Sequence, residues 1–134
     1  MRQPPSSPFS QWRILIATSE EKVKLTLERL FEGRVADIET SDTGGSARSR
    51  IGDSFGRPIR LALIDANLIS EKELSGWTTS LKNNLARPQI ILLSSEDSKH
   101  VRKLEEGLAA LGTLDPNSPA ADFVRGLLKL TISK

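Results

Sequence analysis

The chain has no cysteine, which excludes disulfide frameworks, thiolate zinc sites and thiol catalysis. It has no tyrosine either. Neither charge sign dominates: 19 Lys and Arg against 17 Asp and Glu leave a net +2, and the basic residues are spread along the chain. Strong nucleic-acid binding is therefore not implied. No apolar run approaches the roughly 18 residues that a membrane-spanning helix needs. The first eleven residues hold three prolines and three serines. They lack the apolar core, about 7–15 residues long, of a secretory signal. Residues 1–11 read as a flexible tail or linker, and 12–134 as one domain.

What is present is globular: 37% hydrophobic and 27% charged residues over 134 positions, enough for a real core. Apolar runs alternate with helix-period segments, the pattern of an α/β fold with a parallel sheet. Ile14-Leu15-Ile16-Ala17 is continuously apolar, as in a strand buried on both faces. Thr18 and Glu21 read as a capping box for a helix that buries Val23, Leu27, Leu30 and Phe31 and stops at Gly33. Val35–Thr40 alternates apolar and acidic residues, which suits an edge strand. Ala47, Ile51 and Phe55 share a helical face, although Gly44, Gly45 and Gly52 weaken it. A third strand is expected over Ile59–Ile64.

Ser70 and Glu73 form a second capping box, ahead of Leu74, Trp77, Leu81 and Leu85. Ile90–Leu93 is the fourth strand, ending in Ser94. Val101, Leu104, Leu108 and Leu111 mark a fourth helix, with His100 on its exposed side. A short strand lies around Thr113-Leu114. Ser118 as N-cap and Pro119 at the first helical position open a last helix with Val124, Leu127 and Leu128 inside. Strict alternation of five strands and five helices, with right-handed crossovers, gives a three-layer sandwich. The expected strand order is the flavodoxin-like 2-1-3-4-5.

Asp65 ends the third apolar run, and a carboxylate there faces the crevice where open α/β sheets bind ligands. Asp65-Ala66-Asn67-Leu68 on that strand, the Ser94 hydroxyl closing the fourth strand, and Pro116 just after the fifth together resemble the receiver domains of two-component signalling. The likeness extends over about residues 12–132 and is nearest to receivers attached to hybrid histidine kinases. It implies Asp65 as phospho-acceptor, Ser94 as switch hydroxyl, Mg²⁺ at the site, and a histidine kinase, a phosphotransfer domain or another domain of the same protein as partner. A homodimer, a cytoplasmic location and no enzymatic activity beyond phospho-acceptance also belong to that expectation.

The chain departs from the family at several places, among them Ile69, which replaces the proline usual after the acceptor loop. The paired acids that help hold Mg²⁺ fall on Thr18 and Ser19, which leaves Asp65, Glu20 and Asp115 as the available metal ligands. The lysine before the proline is Asp115, whose charge would repel a phosphorylated Asp65. The aromatic that follows the switch hydroxyl falls near Gly112 or Thr113. The reading that results is a degenerate receiver acting as a regulatory or protein-interaction module, with the helix carrying Lys99, Arg102, Lys103 and Glu106 near its contact face. The alternatives are a functional receiver phosphorylated on Asp65, and a small-ligand flavodoxin-like module using the same crevice. Gly44-Gly45 does not match a phosphate-binding fingerprint, which weighs against the last.

Overall fold

The computed structural model describes residues 9–52, 58–84 and 87–131. The elements, in chain order, are β1 (Arg13–Ala17), α1 (Glu21–Phe31), β2 (Asp37–Ser41), α2 (Gly44–Gly52), β3 (Leu61–Asp65), a 3₁₀ turn (Ala66–Leu68), α3 (Glu71–Lys82), β4 (Gln89–Leu93), α4 (Lys99–Leu108), β5 (Gly112–Leu114) and α5 (Ala120–Thr131). The five strands are parallel and lie in the order β2-β1-β3-β4-β5, as expected. The central strands are continuously apolar because both faces of the sheet are covered by helices.

Alternation along each strand divides the core in two. Leu15, Ala17, Ala62, Ile64, Ile90 and Leu92 face α2, α3 and α4, where Ala47, Ile51, Trp77, Leu81, Val101, Leu104 and Leu108 meet them. Ile14, Ile16, Leu61, Leu63, Ile91 and Leu93 face α1 and α5, against Val23, Leu27, Phe31, Phe123 and Leu127. Phe9 joins this second core and packs edge-on against Phe31 at 6.4 Å and Trp12 at 4.8 Å. The packed part of the chain thus includes Phe9, inside the segment read as tail; residues 1–8 of that segment lie outside the described residues.

The helix termini bring several corrections. Thr18 does not cap α1: its N-cap is Glu20, which makes no side-chain capping bond, and the Thr18 hydroxyl is engaged elsewhere. Gly33 does close the turn after α1, in the left-handed region at φ 76°. The Ser70–Glu73 capping box on α3 is complete in both directions. Helix α4 ends at Ala109 in the left-handed conformation, so Leu111 leaves the helix face and packs in the α1/α5 core. Helix α5 begins one residue later than expected: Pro119 O accepts from Phe123 N, while the Ser118 hydroxyl donates to Asp115 O. Its buried face is Phe123, Leu127 and Thr131 rather than Val124, Leu127 and Leu128. Phe55 and Leu85, assigned to helix faces from spacing, lie outside the described residues.

Candidate functional site

The register of the sheet places Ala17 beside Ile64, so the next residues of the two chains, Thr18 and Asp65, meet at the C-terminal edge. Asp65 is 6% exposed and Thr18 1%. The Thr18 hydroxyl donates to Asp65 Oδ2 at 3.0 Å and accepts from Glu20 N at 3.1 Å. Asp65 Oδ1 accepts from Asn67 N at 3.0 Å, which starts the 3₁₀ turn. Thr18 N in turn donates to Ser41 O at 2.9 Å, at the end of β2. Both carboxylate oxygens are therefore bonded within the protein, as a buried anion requires. A hydrogen bond to a charged group contributes about 1.5–3 kcal/mol.

Asp65 opens onto a small polar cleft of about 150 Å³, lined also by Glu20, Asn67, Leu93, Ser94, Ser95, Glu96, Pro116 and Asn117. Three of these residues are acids, and no lysine or arginine is among them. Ser94 is at the mouth, but its hydroxyl is engaged at both ends: it donates to Glu96 O at 3.0 Å and accepts from Glu96 N at 3.1 Å. Asp115 is not among the residues that line this cleft. Its Oδ1 accepts from Asn117 N at 2.8 Å, and it borders the adjoining groove with Glu105 and Thr113. Thr113 donates its hydroxyl to Glu105 across β5 and α4.

His100 is not on an exposed side. It is half-buried in the first turn of α4, and its Nε2 lies 3.2 Å from Ala66 O, in the turn that follows Asp65. Gly44 also serves this turn: a side chain there would come within 2.4 Å of Leu68 O, so the start of α2 approaches the 3₁₀ turn closely only because Gly has no Cβ. Gly44 is thus a packing feature, whereas a Cβ at Gly45 would meet nothing within 4 Å, and Trp77 is fully buried in the core. Arg50 pairs with Glu39 on β2 at 3.0 Å, and Arg48 lies over Gly76 of α3.

Mg²⁺ takes a near-octahedral shell of carboxylate and water oxygens. Beside Asp65 the first position holds a Thr whose proton is committed to the carboxylate. Glu20 and Glu96 are exposed at the rim. Among the described residues no group of three or more His, Asp or Glu side chains gathers as a metal site. The donor set does not fit the ion. Glu96, Asn117 and His100 had not been assigned to the site from sequence, and Thr18 only as standing in the place of a family acid; the pairing of the strand ends is the signal that points to its contact with Asp65.

Five parallel strands in the order 2-1-3-4-5 wrapped by five helices make this the flavodoxin-like fold of CheY-like receiver domains. The chemotaxis protein CheY4 of Vibrio cholerae superposes with a TM-score of 0.71 at 12% identity, over 90% of this chain and 99% of that one. A CheY-like response regulator receiver domain from Methanospirillum hungatei gives 0.71 at 19% identity, over 90% and 94%. The signal receiver domain of an HD domain-containing protein from Pseudomonas fluorescens gives 0.73 at 14% identity, over 96% and 92%. At these identities the likeness is one of fold. No protein-family model matches the sequence, and neither does any curated protein.

Proposed function

We propose that this chain is a receiver-type module of two-component signal transduction, degenerate at its phospho-acceptor site. It works by contact with a protein partner, within or beside a larger histidine kinase or response regulator. One observation carries this reading: among the described residues, the cleft at Asp65 is lined by Glu20 and Glu96 and by no basic residue. Phosphoryl transfer depends on cations that neutralise the oxygens of the transferred group, an effect worth several kcal/mol. Here a phosphoryl group would meet carboxylates instead. The partner is a histidine kinase, a phosphotransfer domain or another domain of the same protein. The exposed side of α4, with Lys99, Arg102, Lys103 and Glu106, is the contact face in this reading.

A functional receiver is the second reading. It is favoured by the place of Asp65 at the end of β3, open to a cleft with Ser94 at its mouth. Intact mass after incubation with acetyl phosphate and MgCl₂, with Asp65→Asn as control, separates the two. The degenerate module is expected to gain no mass. A gain of one phosphoryl group, absent from the control, would establish the functional receiver in its place.

A further inference from the structure

The misfit between this site and a divalent cation has a structural cause, and the geometry points to Thr18. We infer that the Thr18 hydroxyl is a built-in substitute for a cation at Asp65: a clasp that joins the β1–α1 and β3–α3 loops and makes the site independent of metal. The inference rests on the same site as the proposed function but fails separately from it.

Three observations carry it. First, the contact is buried on both sides, with Thr18 1% and Asp65 6% exposed. Second, the hydroxyl sits in a chain of bonds with a defined direction: Glu20 N to Thr18 Oγ1 at 3.1 Å, then Thr18 Oγ1 to Asp65 Oδ2 at 3.0 Å. Because the backbone amide can only donate, the hydroxyl accepts there and has its single proton for the carboxylate. Third, the other carboxylate oxygen is taken by Asn67 N at 3.0 Å. Together these bonds connect the end of β1, the start of α1 and the turn after β3. An acidic pair in this place would need a bridging cation to hold those loops, because two adjacent carboxylates repel. A hydroxyl paired with a carboxylate needs none.

Thermal unfolding of the full chain in MgCl₂ and in EDTA tests the assignment. Wild type is expected to melt at the same temperature in both. Thr18→Val keeps the side-chain shape but loses the proton, and its Tm is expected to fall by roughly 5–10 °C in both media. Thr18→Ser keeps the hydroxyl and is expected to stay close to wild type. Thr18→Asp should melt lowest in EDTA and recover in MgCl₂. If that variant does not fold, Mn²⁺ titration of wild type, followed by the EPR signal of the free ion, answers the same question: the signal is expected to be undiminished.

Stabilisation of wild type by MgCl₂, stoichiometric loss of the free Mn²⁺ signal, or a Thr18→Val chain as stable as wild type would overturn the inference. So would a folded Thr18→Asp chain that gains nothing from MgCl₂. Phosphorylation of Asp65 without any effect of Mg²⁺ on wild-type Tm would sink the proposed function and leave the clasp standing. Stabilisation by Mg²⁺ without phosphorylation would do the reverse.

Discussion

Gly44 shows how closely the site is fitted at the scale of single residues. Its backbone lies against Leu68 O, in the turn that begins at Asp65, and a methyl group there would overlap a backbone atom that has nowhere to go. Gly44→Ala is expected to destabilise the protein by about 1–3 kcal/mol, in spite of the better helix propensity of alanine. Denaturant unfolding would measure it; an unchanged or raised midpoint would contradict the close approach. The residues around Asp65 were legible to different degrees. Asp65 stands out because a lone carboxylate ends an apolar run. Thr18 was read as a helix-capping hydroxyl standing where the family has an acid, with no contact to Asp65 assigned to it. What turned it to Asp65 is the neighbouring position of β1 and β3, a contact between residues 47 apart in sequence. His100 was misplaced for a similar reason: its place in the first turn of α4 is local, but the Ala66 carbonyl it meets belongs to another loop.

Among the elements, α3 follows its local code most fully. Ser70 Oγ accepts from Glu73 N, and Glu73 Oε1 accepts from Ser70 N at 3.1 Å and from the Ser70 hydroxyl at 2.9 Å. These bonds stabilise the ionised form, so the Glu73 carboxyl titrates below its ordinary range, chiefly through the Ser70 backbone amide. A carboxyl whose pKa is lower folded than unfolded adds stability at neutral pH and loses it as pH falls through the carboxylate range. Ser70→Ala should cost about 1 kcal/mol at neutral pH. The difference from wild type should shrink as the solution is acidified, which chemical denaturation across that range would follow. A difference that grows on acidification would show the sign to be wrong. Helix α4 reads less directly. Its apolar period continues to Leu111, yet Ala109 enters the left-handed region and the helix stops at Leu108. In α5, Pro119 supplies the first accepting carbonyl, and burial passes to Phe123 and Thr131.

For the molecule as a whole, the position of each strand in the sheet governs its stability. Strands β1, β3 and β4 have neighbours on both sides and helices on both faces. Strand β2 is an edge, and its acids Asp37 and Glu39 pair with Arg13, with Arg50 adding a second partner to Glu39. Charge of this kind on an edge discourages pairing with another chain. Strand β5, at the other edge, is only three residues long and half-buried throughout. Amide hydrogen exchange is expected to be slowest in Leu15–Ile16, Ala62–Ile64 and Ile91–Leu92, and faster in β2 and β5. Equal protection across all five strands would contradict the sheet order. On the surface, the hydrogen bond and charge of Arg102 hold the Asp97 carboxyl below its ordinary range.

The sequence by itself determined the alternation of strands and helices, the buried strands, the polar edge and the place of Asp65, because period, capping and burial are written in neighbouring residues. It also carried the absence of a basic residue next to Pro116, since Asp115 occupies that place. Only the tertiary structure decided what surrounds Asp65. The meeting of Thr18 with Asp65, 47 residues apart, depends on β1 and β3 lying side by side, and the cleft is lined from the loops after β1, β3, β4 and β5; the Asn67, Asn117 and Ser94 bonds are local, each between residues two apart. The Thr18–Asp65 contact is set by the distance between remote parts of the chain, which no local pattern encodes.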